Sequence, residues 1–145
     1  EMTSSLVGSE MCIRDSDKEK ERLRNQTIEK MKLLSDYFQL PTYQDFLSED
    51  EKSDLGDSYN YFIFEEDELT IVDKDKYTIG QNVYVTFYSE NREYLTGDQL
   101  DVIELLHNNL FRFTGTDVNH LKLDNQDRFV DQVVFTFQRI IRSGC

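Results

Sequence analysis

Residues 82–113 read NVYVTFYSENREYLTGDQLDVIELLHNNLFRF. In the first part Val83, Val85 and Phe87 alternate with Tyr84, Thr86 and Tyr88, the period of a half-buried strand running through Gln81–Tyr88. Asp98–Phe111 then repeats apolar residues at helical spacing. Leu100, Ile103, Leu106 and Leu110 form the stripe, and Val102, Leu105 and Phe111 widen it. Thr96 and Gln99 are spaced as a capping box at the helix start, and Gly115 predicts a stop near Phe113. So wide a stripe fits a helix lying flat on a sheet. The second face of the strand is amphipathic, which predicts cover by the first helix of the chain or by a neighbouring subunit.

Upstream, Asp17–Leu40 reads as a helix. A charged run, Asp17 to Arg22, opens it. Leu23, Thr27, Met31, Leu34 and Phe38 make one apolar stripe, and Pro41 forces an end at Leu40. Ahead of it Leu6–Ser16 reads LVGSEMCIRDS, which matches the read-through translation of a sequencing-library adapter. Residues 1–16 are therefore set outside the fold, as adapter-derived or disordered. Residues 17–58 comprise the helix and an acidic connector. In Thr42–Asp54, Tyr43, Phe46 and Leu47 sit at the spacing of one or two helical turns, followed by Glu49-Asp50-Glu51. Tyr59–Phe64 is aromatic and β-branched and reads as a strand. Glu65-Glu66-Asp67-Glu68 interrupts it and Leu69–Val72 resumes it, so that Glu65–Gly80 reads as a long, partly ordered hairpin excursion.

Downstream, His120–Asp124 is a short strand, Asn125–Asp127 a turn and Phe129–Ile141 the last strand. Val133, Phe135 and Phe137 share one face of it, and Val134, Thr136 and Ile140 the other. The expectation is one α+β domain. Its core, residues 59–142, is an antiparallel four-stranded sheet in the order β-β-α-β-β, with the N-terminal helix and the central helix packed on it.

The chain of 145 residues carries a formal charge of −13. Such a field repels nucleic-acid backbones and argues against direct phosphate binding, while it suits a basic partner. With cysteine only at Cys12 and Cys145 there is no disulfide framework and no thiolate metal site. No apolar run is long enough to span a membrane.

Local chemistry is sparse. Asp73-x-Asp75 begins like a calcium loop, yet lacks the later ligands and the glycine at the required spacing. His107 and His120 are not spaced to meet at one metal ion. The acids Glu65 to Glu68 are consecutive and alternate in direction along an extended chain, which suits solvation better than acid–base work. Ser89 has neither a nearby histidine nor a glycine elbow. No catalytic, cofactor-binding or metal residue is assigned, and the chain does not read as an enzyme.

A particular order of features fills Tyr59–Arg142. An aromatic strand, Tyr61-Phe62-Ile63-Phe64, comes first. A polar excursion ends in Asp73-Lys74-Asp75-Lys76-Tyr77, and the strand Val83-Tyr84-Val85-Thr86-Phe87-Tyr88-Ser89 follows. A helix over Asp98–Leu110 comes after a charged linker, and a closing hairpin ends in Val133-Val134-Phe135-Thr136-Phe137. This order resembles the tail terminator and tail completion proteins of long-tailed bacteriophages, also described as minor capsid or head–tail joining proteins. The helix at Thr27–Leu40 fits the one that often precedes their core. The resemblance implies a virion assembly protein, made in the bacterial host cytoplasm, whose copies form a ring, typically a hexamer. That ring caps the tail tube and joins it to the head connector, without cofactor and without contact to nucleic acid or membrane. Tyr77, Tyr84, Tyr88, Glu65 and Glu66 are the candidate interface residues under this reading. The alternative is an acidic immunity or inhibitor protein that masks a basic toxin or nuclease.

Overall fold

The computed structural model describes the backbone of residues 3–45, 59–73, 78–90, 92–122 and 129–141, with side chains from residue 17 onward. Along the chain these form α1 (Thr3–Phe38), β1 (Thr42–Gln44), β2 (Tyr61–Asp73), β3 (Thr78–Ser89), α2 (Leu95–Leu106), β4 (Phe111–Lys122) and β5 (Phe129–Ile141). The α+β class is as expected. The sheet differs from the expectation in having five strands in the order β1-β2-β3-β5-β4, and in being mixed. Its four long strands are antiparallel, whereas β1 pairs parallel to β2, Tyr43 opposite Ile63. Thr42–Gln44 therefore extends the sheet, where helical turns were expected. Phe46, Leu47, the Glu49–Glu51 cluster and the Asn125–Asp127 turn lie outside the described residues.

Two periodicities account for the layers. Phe62 and Phe64 on β2, Val83, Val85 and Phe87 on β3, and Val133, Phe135 and Phe137 on β5 are all buried at strand period two. Both helices cover this face. Leu34 is fully buried in the core cluster beside Val102 and Leu106 of α2, with Met31 and Phe38 packed against it. The Phe38 ring lies 5.3 Å from Phe62 and 5.7 Å from Phe87, and Phe62 and Phe87 stack at 4.5 Å. Helical backbone starts at Thr3, ahead of the Asp17 start read from the sequence. It ends at Phe38, where Gln39 turns left-handed (φ 55°) just before Pro41.

The central helix is shorter than its apolar stripe suggests. It ends at Leu106, and Phe111 already belongs to β4. The turn between them is built by asparagine: Asn108 Oδ1 accepts from the Leu110 N–H at 2.9 Å, and Asn108 and Phe111 exchange backbone bonds at 3.0 and 3.2 Å. The capping box is not formed either. Tyr94 occupies the N-cap without a side-chain cap bond, and Gln99 donates to the Leu95 carbonyl at 3.4 Å. Leu100 is 59% exposed, so the buried stripe runs through Val102 and Leu106 instead.

The expected interruption at Glu65–Glu68 is a bulge inside one continuous strand. The β2–β3 register shifts between Glu66 and Leu69 and again between Ile71 and Asp73. β5 matches its expected bounds, Phe129–Ile141.

Candidate functional site

The strand pleat separates acids that are adjacent in the sequence. Glu65 stands opposite Tyr84 on the second face of the sheet, the side away from the helices. Glu66 points under α1, where its Oε1 lies 3.1 Å from Arg139 Nη2. Arg139 is 2% exposed. Its Nη1 donates to Thr27 Oγ1 at 2.9 Å, and its Nη2 also bonds Gln81 Oε1. Gln81 in turn donates to the Asp67 carbonyl at 2.8 Å, and Thr27 donates back to the Leu23 carbonyl at 3.1 Å. This polar cluster ties α1 to three strands. It lies within the helix–sheet interface. Lys30, the next inward position of α1, is also buried. It donates to the Leu106 carbonyl at 2.7 Å, closing the end of α2, and sits 5.4 Å above the Phe111 ring. Burial pushes the Lys30 ammonium below its ordinary pKa, and Glu29 partly opposes this.

Neither inward-facing cation was singled out from the sequence, although each leaves a trace there. Arg139 follows Val133, Phe135 and Phe137 in phase at period two. Lys30 sits within the Thr27–Leu34 stripe. A charge in phase with an apolar face marks a buried partner.

On the second face, Tyr84 donates to Asp67 Oδ2 at 2.9 Å, and this bond raises the Tyr84 pKa. Tyr88 accepts from Gln132 Nε2 at 2.9 Å and packs on Tyr61 at 4.9 Å. Tyr61 is only 6% exposed. Burial, followed by repulsion from its neighbouring tyrosines, pushes its hydroxyl up to about 12. Glu65, Tyr84 and Tyr88 thus share one face, Glu66 is on the other, and Tyr77 lies outside the described residues.

The sheet has two outer edges. Among the described residues no strand pairs with the outer side of β2 beyond Phe64, while the outer side of β4 is held by Asn108 at Phe111 and by His107 at Phe113. Leu69, Ile71 and Val72 near the end of β2 are 59%, 54% and 44% exposed. By register Leu69 and Ile71 stand opposite Gln81 and Ile79 on the helix side of the sheet, while Val72 lies over Gly80.

A shallow groove of about 470 Å³ opens beside the start of α2, lined by Arg92, Glu93, Tyr94, Gly97, Asp98 and Asp101. Arg92 is committed to Asp98 by two bonds of 2.8 Å and lies over Phe38 and Phe87. The remaining lining charge is therefore acidic. Tyr94 and Tyr37 are exposed there, and Asp101 accepts from the Tyr37 hydroxyl.

The histidines are engaged separately. His107 Nδ1 accepts from the Phe113 N–H at 3.0 Å, and His120 Nδ1 lies 2.5 Å from Asp131 Oδ1 across β4 and β5. Among the described residues no three His, Cys, Asp or Glu side chains are grouped to hold a metal ion, and no helix is long and apolar enough to cross a membrane. No family model matches the chain, and no curated protein matches it.

Proposed function

We propose that this protein is an assembly subunit of a long-tailed phage virion, one that forms a ring, caps the tail tube and joins it to the head connector. It acts by protein contact and is not an enzyme. The observation that carries this reading is the open end of the sheet. Leu69, Ile71 and Val72 stand exposed beside the acids of the bulge, on a strand whose outer side has no partner among the described residues. Contiguous exposed apolar residues next to free backbone groups mark an interaction surface. The tyrosine face, with Tyr84 and Tyr88 half-buried beside Glu65, offers a second surface on the other side of the sheet. An acidic ring also lets DNA pass without holding its phosphates.

The acidic groove at Glu93 and Asp101, with Tyr94 and Tyr37 exposed, favours a second reading, an immunity or inhibitor protein that covers a basic toxin. Co-sedimentation separates the two. The ring subunit pellets with purified tail tubes and leaves a basic nuclease in solution. Capture of the nuclease with no binding to tubes overturns the assembly reading in favour of the second.

A further inference from the structure

The two outer strands are guarded differently. Beyond Phe64 the edge of β2 is broken by the bulge and carries Glu65–Glu68, and irregular backbone and charge both keep an edge from pairing. The edge of β4 is held only at its start, where Phe111 exchanges bonds with Asn108 and the Phe113 N–H donates to His107. From Thr114 to Lys122 no described residue pairs with its outer side. Every residue from Thr116 to Lys122 is exposed, so both faces of this stretch are open as well as its rim. Val118 and Leu121 are 39% and 41% exposed.

Backbone direction follows from the bonds at the start of the strand. The Phe111 and Phe113 N–H groups point outward, and the Ile140 N–H bonds the Leu110 carbonyl, so the even-numbered residues of β5 face β4. The register steps by one residue at Thr114, setting Gly115 opposite Thr136, Asp117 opposite Val134 and Asn119 opposite Gln132. Those three residues therefore bond β5. The N–H and C=O groups of Thr116, Val118 and His120 point away from the sheet. Between Gly115 and Leu121 this edge has no bulge, proline or lysine to stop a second strand.

We propose that this edge pairs with the same edge of a second copy, antiparallel about a two-fold axis at Val118. The length of the open stretch sets the register. Val118 is the midpoint of 114–122, so this axis engages the whole stretch in both copies. Each strand ends at Lys122, before the rows that His107 and Asn108 close. Val118 then faces its own copy, Asp117 faces the amide of Asn119, and Thr116 faces His120, whose Nδ1 is held by Asp131. Apolar meets apolar, acceptor meets donor, and no like charges are opposed. Moving the axis to Asp117 sets two aspartates face to face, and moving it to Asn119 sets Asp117 against Leu121. The contact is isologous and joins two copies without propagating. It does not rest on the ring reading.

Light scattering of the whole chain across a concentration series, without tail tubes, tests the pairing. The unmodified chain moves from 17.2 kDa towards twice that mass. Asn119→Asp sets an acid opposite each Asp117 and raises the concentration needed for pairing by about tenfold or more. Asp117→Lys combined with Asn119→Asp sets lysine opposite aspartate on both sides of the axis and restores pairing, which a folding defect does not do. Val118→Pro removes an N–H that its own sheet does not use, so it keeps the native circular dichroism and abolishes pairing. A chain that stays at 17.2 kDa at every concentration overturns the proposal. So does an assembly that Asn119→Asp and Val118→Pro both leave intact. Co-sedimentation with tail tubes decides the ring reading separately.

Discussion

Arg139 on β5 and Glu66 on β2 meet at 3.1 Å although β3 lies between their strands. The guanidinium reaches across Gln81, its register partner on β3, and holds Thr27 of α1 from below. One side chain thus joins three strands and the first helix. Arg139→Ala leaves Gln81, Thr27 and Glu66 without that partner and is expected to cost about 3–5 kcal/mol. Arg139→Met fills the space, and Glu66, whose side chain is 36% exposed, turns to water, so the expected loss is smaller. Urea denaturation of both variants measures the difference.

The aromatic core contributes through packing alone. Phe137 is fully buried, stacked on Phe111 at 4.7 Å and meeting Phe113 edge-on at 5.7 Å. Phe137→Ala opens a cavity beside the Phe111 and Phe113 rings and is expected to destabilise the fold by about 3–5 kcal/mol. Phe137→Leu is expected to cost less than half of that, and the same denaturation series ranks the pair.

Tyr61 sets an alkaline limit. Its hydroxyl ionises near 10 in the unfolded chain and about 12 in the folded one. The folded state therefore holds the proton more tightly. The stability linked to this group is complete below pH 10 and is lost as pH rises through 12. The shift of about two units corresponds to a loss of about 2–3 kcal/mol. Tyr61→Phe removes this component, so its melting temperature should fall less steeply between pH 10 and 12 than that of the unmodified protein. Equal slopes would show that Tyr61 does not carry the effect.

Much of the fold was legible because its strands obey period two. Phe129–Ile141 was read to the residue, since apolar and polar positions alternate through it and one face is buried. The end of α2 was not legible from spacing. Leu110 and Phe111 continue the helical stripe, and only the asparagines at 108 and 109 signal the turn that stops it. β1 was missed because three residues carry too little pattern, and their pairing partner lies on another element. For the candidate site, consecutive acids conceal a bulge. Sequence adjacency groups Glu65 with Glu66, while the pleat sends one to the tyrosine face and the other to Arg139.

The exposed end of β2 separates stability from assembly. Leu69 and Ile71 are 59% and 54% exposed, so replacing both by lysine is expected to change folding stability by less than about 1 kcal/mol. The same change should abolish binding to tail tubes, because it places two charges where an apolar contact is required. Thermal melts and co-sedimentation on one preparation check both halves.

The most direct measurement is the mass of the whole chain in solution by light scattering, from low to high concentration, alone and with purified tail tubes. A ring subunit of 17.2 kDa gives a discrete multiple of that mass, either at high concentration or on the tubes. A mass of 17.2 kDa under every condition, tubes included, contradicts the assembly account.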